Sequence, residues 1–144
     1  MEIKNYYVVF SEEREVNQWY HRFLKKPFWH CFILYEIRIK KQMYCIRIDC
    51  NKSRAFVEIL DLSGDNILAL LRNYQKLVVD KGFLTPKILQ WKKKIDNNTN
   101  LMDIRNMIPT CATLVKSFLG IRCFAFTPYM LYKYMRKMRC IELI

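Results

Sequence analysis

A cysteine stands at the head of a short amphipathic segment, Ile108-Pro109-Thr110-Cys111-Ala112-Thr113-Leu114-Val115-Lys116-Ser117-Phe118-Leu119-Gly120. At a helix start, unpaired backbone N–H groups and the helix dipole favour thiolate over thiol, and the thiolate is the form that attacks a carbonyl carbon. Cysteine is also a small apolar residue that is commonly buried, so its type and place alone leave Cys111 either a nucleophile or a core side chain. A nucleophilic thiol needs a base, and the chain has two histidines. His21 falls on the polar side of a helical segment with Arg14, Gln18 and Lys25, which makes it a solvated surface residue. His30 opens the apolar run Trp29-His30-Cys31-Phe32, where a polar ring requires a partner. An imidazole in that place can take a thiol proton once the two are within hydrogen-bond reach. Asp49 ends the strand expected to pair with that of His30, and is the candidate third group that orients the imidazole. This role is conditional on register, because a slip of one residue turns Asp49 to the other face and leaves it a strand-ending turn residue.

These residues must be positioned by the elements around them. Tyr6-Tyr7-Val8-Val9-Phe10 reads as a short buried strand, with Ser11 as the N-cap of a helix that carries Val16, Trp19, Tyr20, Phe23 and Leu24 on one stripe and ends at Pro27. The aromatic and branched run 29–39, the turn Lys40-Lys41-Gln42 and the run 43–49 form a hairpin, and 55–60 is a third strand. A helix is expected from Asn66 to about Lys76, capped by Asp65 or Ser63, followed by Leu77-Val78-Val79 as a further strand. Thr85-Pro86 reads as a cap and first-turn proline opening a short helix through Ile88, Trp91 and Ile95. After the polar loop 96–100 come a helix over 111–119, closed by Gly120, and a last helix from Thr127-Pro128 with Leu131, Tyr134, Met135 and Met138 on one stripe. Three successive antiparallel strands after a helix give an α+β class, a small antiparallel sheet packed against helices. No repeat, low-complexity tract or linker divides the chain, so residues 1–144 are expected to form a single domain.

With 52% apolar and 15% aromatic residues among 144, the chain has the material for a well-filled core and is not of the disordered class. No apolar run approaches the roughly 18 residues that span a bilayer. The start, Met1-Glu2-Ile3-Lys4-Asn5, lacks a basic segment followed by an apolar one, so no signal peptide is expected and the protein is placed in a cytoplasm. Six cysteines at 31, 45, 50, 111, 123 and 140 include no C-x-x-C pair, and with two histidines they make no zinc-like set. Reduced thiols, no metal and no cofactor are therefore expected. The balance of 25 basic against 13 acidic residues, a formal charge of +12, draws polyanions: nucleic acid, an anionic membrane surface or an acidic cell-wall polymer. Most aromatic residues fall on expected core faces, so no stacking platform for nucleic acid is evident.

The order of parts is a strand with His, a strand with Asp, then a helix with Cys. It resembles a circularly permuted papain-like fold, the arrangement of permuted NlpC-type amidases and peptidases and of lecithin-retinol-acyltransferase-like proteins. Thr110-Cys111-Ala112-Thr113-Leu114-Val115 fits their helix-start pattern of a cysteine followed at three and four residues by apolar side chains. The chain more closely resembles small proteins encoded by bacterial viruses and prophages. That likeness is carried by Val8-Val9-Phe10-Ser11, Trp19, Lys26-Pro27-Phe28-Trp29-His30-Cys31-Phe32, Thr110-Cys111 with Val115-Lys116 and Leu119-Gly120-Ile121, and Thr127-Pro128-Tyr129 with Leu131-Tyr132. The resemblance implies a Cys111 nucleophile and a His30 base, with the oxyanion held by the N–H of Cys111 and a neighbour at the helix start; Asp49 as third member rests on its position. Two departures bear on substrate: the strand after His30 holds no second histidine, and Thr-Cys-Ala-Thr stands where many cell-wall peptidases have Asp-Cys-Ser-Gly.

Three functions follow as expectations. The first is a thiol hydrolase or acyltransferase of phage or prophage origin, acting on an amide or ester and most naturally on peptidoglycan, with Lys133, Arg136 and Lys137 holding it near anionic wall polymer. The second is a catalytically inactive virion or assembly protein on the same fold, partnered by other virion proteins. The third is a cationic nucleic-acid-binding protein. The first two place the protein in a host cytoplasm or in a virus particle.

Overall fold

The computed structural model describes residues 5–12, 24–51, 54–62, 64, 66–91, 110–138 and 140–143. Their elements run β1 (Tyr6–Ser11), β2 (His30–Ile39), β3 (Gln42–Asn51), β4 (Arg54–Asp61), α1 (Ile67–Asp80), β5 (Lys87–Trp91), α2 (Cys111–Leu119), α3 (Pro128–Lys137) and β6 (Ile141–Leu143). All strands join one antiparallel sheet in the order β4-β3-β2-β1-β5-β6. The class is α+β, as the patterning indicates.

β1 is central in this sheet and buried along its whole length, which is why Tyr6-Tyr7-Val8-Val9-Phe10 is continuously apolar rather than alternating. Alternation instead divides its side chains between two cores. Tyr7 and Val9 join Phe32, Leu34, Cys45 and Ile88 beneath Ile67 and Leu71 of α1. Tyr6, Val8 and Phe10 join Cys31, Ile33, Ile46, Ile48 and Leu89 beneath Ala112, Val115 and Leu119 of α2 and Leu131 and Met135 of α3. The result is three layers, with α1 on one face of the sheet and α2 with α3 on the other.

Several expected boundaries change. Ser11 is the last residue of β1, paired with His30, rather than a helix cap. The helix expected after it, including His21, falls mainly on 13–23 and lies outside the described residues, as do Lys92-Lys93-Lys94 and the loop 96–100. Leu77-Val78-Val79 is not a strand. It continues α1, where Val78 lies seven residues after Leu71 on the inward stripe while Leu77 and Val79 face solvent. The cap of α1 is Asn66, whose side chain accepts the Ala69 N–H, rather than Asp65 or Ser63. Ile88 to Trp91 form β5, not a helix, because Ile88 and Leu89 bury on opposite faces beside Val9 and Val8. That two-sided burial outweighs the helix-start look of Thr85-Pro86, and Pro86 sits just before the strand, where its missing N–H removes no ladder bond. Asp49 does not end its strand, since β3 runs on to Asn51.

α2 and α3 keep their expected limits. Gly120 takes a left-handed φ of 71° at the end of α2, a conformation glycine adopts without steric cost, and its N–H closes onto the Lys116 carbonyl. Val115 and Leu119 are buried, each contributing about 1.5–3 kcal/mol. Lys116 is buried between them, its ammonium donating to the Cys123 carbonyl at 2.8 Å over the Phe126 ring, which ties the segment after α2 back onto the helix. No helix among the described residues is long and apolar enough to cross a membrane.

Candidate active site

Cys111 is the first residue of α2, and the helix start is built around it. Thr110 is the N-cap, its hydroxyl accepting the Thr113 N–H at 3.2 Å, while the Thr113 hydroxyl accepts the Thr110 N–H at 2.8 Å. The two threonines form a capping box without its usual acid. Thr110 also donates to the Phe126 carbonyl at 3.0 Å, which fixes the cap to the approach to α3. With Thr113 N–H on the cap and Leu114 N–H on the Thr110 carbonyl, the first-turn donors left are the N–H groups of Cys111 and Ala112. Replacing Thr110 by alanine is expected to lower stability by about 1 kcal/mol, and serine to restore it. Denaturant midpoints of the three proteins check this. The cap is thus weaker than the burial of Val115 and Leu119 together, so packing on the sheet is the larger force holding Cys111 in place.

The sheet presents His30 and Asp49 to this helix start. The β2–β3 ladder pairs Ile39 with Gln42 through to Ile33 with Ile48, and there it stops, although the strands run on to His30 and Asn51. Continued in the same register, Phe32 would lie opposite Asp49, so His30 and Asp49 share a face as diagonal neighbours. Their side chains meet, His30 Nε2 lying 2.5 Å from Asp49 Oδ1. The register therefore meets the condition on which Asp49 depended. Cys31, one residue on, points to the opposite face and packs in the core that receives Ala112 and Val115. Cys111 arrives at this open end of the ladder. Cys111 packs against the apolar cluster that contains Cys31, and Cys31 and the His30 ring are the neighbours that act on its sulfur. Because Nε2 is held by Asp49, Nδ1 is the ring nitrogen left to serve the thiol.

Asp49 is itself deeply held. Its side chain is 3% exposed. Oδ1 receives the Cys50 N–H at 2.7 Å besides the ring, and Oδ2 receives both Arg47 Nη2 at 2.6 Å and Nε at 3.2 Å. Arg47 also lies over the Phe32 ring, 4.2 Å from its centroid, so stacking and a forked ion pair aim the carboxylate together.

Electrostatics make the trio an ion pair on a buried acid. Burial alone would push the His30 imidazolium down, but its bonds to Asp49 and Cys111 outweigh that and raise its pKa to about 10. Burial likewise opposes the Asp49 charge, yet the His30 and Arg47 partners hold the carboxyl below its ordinary value. Hydrogen bonding from Cys31, against burial and with the help of His30, carries the Cys111 thiol well below its usual range. The neighbouring sulfurs of Cys31 and Cys50 go the opposite way. Burial first and the interaction with Cys111 next raise Cys31 well above its ordinary value, while burial, then the charges of Cys111 and Asp49, push Cys50 to about 12. One thiolate thus stands beside two neutral thiols.

The structure brings together the three residues singled out from the sequence, Cys111, His30 and Asp49. Sequence reading missed Arg47, Cys31 and the Thr110–Thr113 box. Arg47 had a signal: Arg47-Ile48-Asp49 puts opposite charges two residues apart on a strand, hence on one face. No group of three or more His, Cys, Asp or Glu among the described residues is arranged to hold a metal ion. No protein-family model, curated protein or solved structure matches the chain.

Proposed function

We propose that this protein is a cysteine hydrolase, an amidase or peptidase with a permuted papain-like order of parts, in which Cys111 is the nucleophile, His30 the acid and base, and Asp49 the group that orients the ring. The observation that carries this reading is the chain of contacts from a helix-start thiol to an imidazole and on to a buried carboxylate. Such a set is what thiol acyl transfer requires.

In the first half-reaction the Cys111 thiolate attacks the substrate carbonyl carbon, and the oxyanion is received by the N–H groups of Cys111 and Ala112 at the helix start. The imidazolium proton at His30 Nδ1 passes to the leaving amine as the C–N bond breaks, leaving a thioester. In the second, neutral His30 takes a proton from water, hydroxide attacks the thioester carbonyl, and the thiolate leaves beside the re-formed imidazolium. Asp49 stays ionised and keeps Nε2 protonated.

The cationic balance favours an anionic substrate environment, and the peptide stems of peptidoglycan in an anionic wall fit both the charge and the chemistry. On α3, Lys133 and Lys137 are exposed, whereas Arg136 is engaged by Glu142 at 2.6 Å. A host cytoplasm or a virus particle is where a phage protein of this kind would work.

The test is covalent trapping. Folded protein incubated with peptidoglycan fragments, and separately with an activated ester, is quenched in acid and examined by mass spectrometry. The expected result is an acyl group on Cys111 that hydroxylamine removes, and none on Cys111→Ala. An activated ester that leaves Cys111 bare while acylating other cysteines would favour an assembly role on the same fold.

A further inference from the structure

Cys31 has no part in the hydrolytic scheme, yet it sits against the nucleophile. It is 1% exposed, next in sequence to His30, and packed with Ala112 and Val115 of α2. Cys111 packs against the same apolar cluster, and each of the two sulfurs is a neighbour that acts on the other's ionisation. An alanine would fill a small core position as well, without placing a second oxidisable sulfur on the first. Cys50 also lies near enough to feel the charge of Cys111, but it is not a member of the buried cluster against which Cys111 packs.

We infer that Cys31 and Cys111 form a reversible oxidation site for a hydroperoxide, with Cys111 as the peroxide-reactive sulfur and Cys31 as the resolving thiol. The inference rests on the reading of Cys111 as a reactive thiolate. In the first step the Cys111 sulfur attacks the distal oxygen of the peroxide. The O–O bond breaks, an S–O bond forms, and the departing alkoxide or hydroxide takes the imidazolium proton of His30 to leave as alcohol or water. Cys111 is then a sulfenic acid. In the second step the Cys31 sulfur attacks that of Cys111, the S–O bond breaks as the S–S bond forms, and hydroxide leaves with the Cys31 proton as water. Two thiols have lost two electrons and one peroxide has gained them. An external thiol reverses the change by exchange.

Burial makes Cys31 suited to this part. A solvent-exposed thiol beside Cys111 would compete for peroxide, whereas a buried neutral one waits until the sulfenic acid forms. Capture at that stage keeps Cys111 from the irreversible sulfinic and sulfonic acids. The pair would hold the hydrolase inactive under oxidising conditions and release it when thiols are plentiful.

The experiment treats the folded wild-type protein with an equivalent of hydrogen peroxide, blocks remaining thiols with N-ethylmaleimide and maps the digest by mass spectrometry. The expected result is a Cys31–Cys111 linked peptide that forms before any other pairing of the six cysteines and is lost on dithiothreitol treatment. In Cys31→Ala the linked peptide is lost completely, and Cys111 is found as a dimedone-reactive sulfenic acid passing on to sulfinic acid. Iodoacetamide labelling of the untreated protein at neutral pH runs in parallel. If Cys111 labels fast but oxidises straight to sulfinic acid, or links to Cys50, the resolving role of Cys31 is overturned while the nucleophile stands. If Cys111 labels no faster than the other cysteines and forms no link, both readings fall.

Discussion

His30→Ala slows iodoacetamide alkylation of Cys111 at pH 7 by about 10-fold and amide hydrolysis by about 10²–10⁴-fold, the second loss exceeding the first. The two differ because they ask different things of the imidazole. Alkylation needs the thiolate alone. Without the imidazolium, the sulfur keeps Cys31 as a neighbour but loses its counter-charge in a half-buried place, so its pKa rises and the thiolate fraction at neutral pH falls. A more basic thiolate is intrinsically more nucleophilic, which returns part of the rate. Hydrolysis loses in addition the proton donor for the leaving amine and the base for the attacking water. The pH profile separates this from a packing defect. In the parent, alkylation is flat through the neutral range and falls when acid protonates the sulfur, whereas hydrolysis also falls as the pH rises through about 10 and His30 gives up its proton. In His30→Ala the alkylation rate instead climbs with pH through the alkaline range. A variant with the parent's rate and the parent's profile would sink the ion pair and the mechanism with it.

What could be read from the sequence depended on whether the deciding force was local. α2 was legible because its signals all lie within thirteen residues: a cysteine after Pro109 and Thr110, an amphipathic run and a terminal glycine. The β2–β3 hairpin was legible because branched and aromatic runs flank two lysines, where Lys40 takes the left-handed φ of 58°. β5 was not. Thr85-Pro86 is a sound helix start locally, and only the partners of Ile88 and Leu89 on β1 and β6, distant in sequence, make those residues a strand. The apolar triple at 77–79 misled for the related reason that branched residues mark strands in isolation, while Val78 serves a helix already begun at Ile67.

The candidate site divides the same way. Cys111 was legible from the helix start, and His30 from a polar ring at the head of an apolar run. Asp49 could be named but not placed, because its value hangs on the pairing of Ile33 with Ile48 and hence on a register that turns and core faces settle together. Cys31 was hidden by strand alternation. It belongs to the opposite face from His30, and the residue that makes it matter, Cys111, comes from α2, 80 positions further along the chain.

Asp49 carries the largest expected loss of stability. Asp49→Ala removes the acceptor of four donors at once: His30 Nε2, Arg47 Nη2 and Nε, and Cys50 N–H. Breaking a buried ion pair from one side costs about 3–5 kcal/mol, and because Arg47 keeps 26% of its side chain exposed and can turn to water, the low end of that range is expected. Asp49→Asn keeps the shape and isolates the charge. Its amide oxygen still accepts from His30, but its amide nitrogen faces donors from Arg47, so Arg47 is driven outward and the ring loses its anion. The His30 pKa then falls, since burial, which opposes the imidazolium, no longer meets a carboxylate. The stability profile shows the sign of each share. Asp49 is held below its ordinary value, so its contribution is present above pH 3.8 and is lost as acid takes the pH through the lowered folded value. His30 is raised, so its contribution is full below pH 6.5 and is lost as the pH rises through about 10. Urea midpoints across this span should show the parent losing stability at both ends, and Asp49→Asn less stable in the middle with a flatter acid limb. Arg47→Met should soften the acid limb while leaving the alkaline one, because it removes a partner of Asp49 without touching the bond to His30. An acid limb unchanged in Asp49→Asn would place the titrating carboxylate elsewhere, and His30 would then need another explanation for its high pKa.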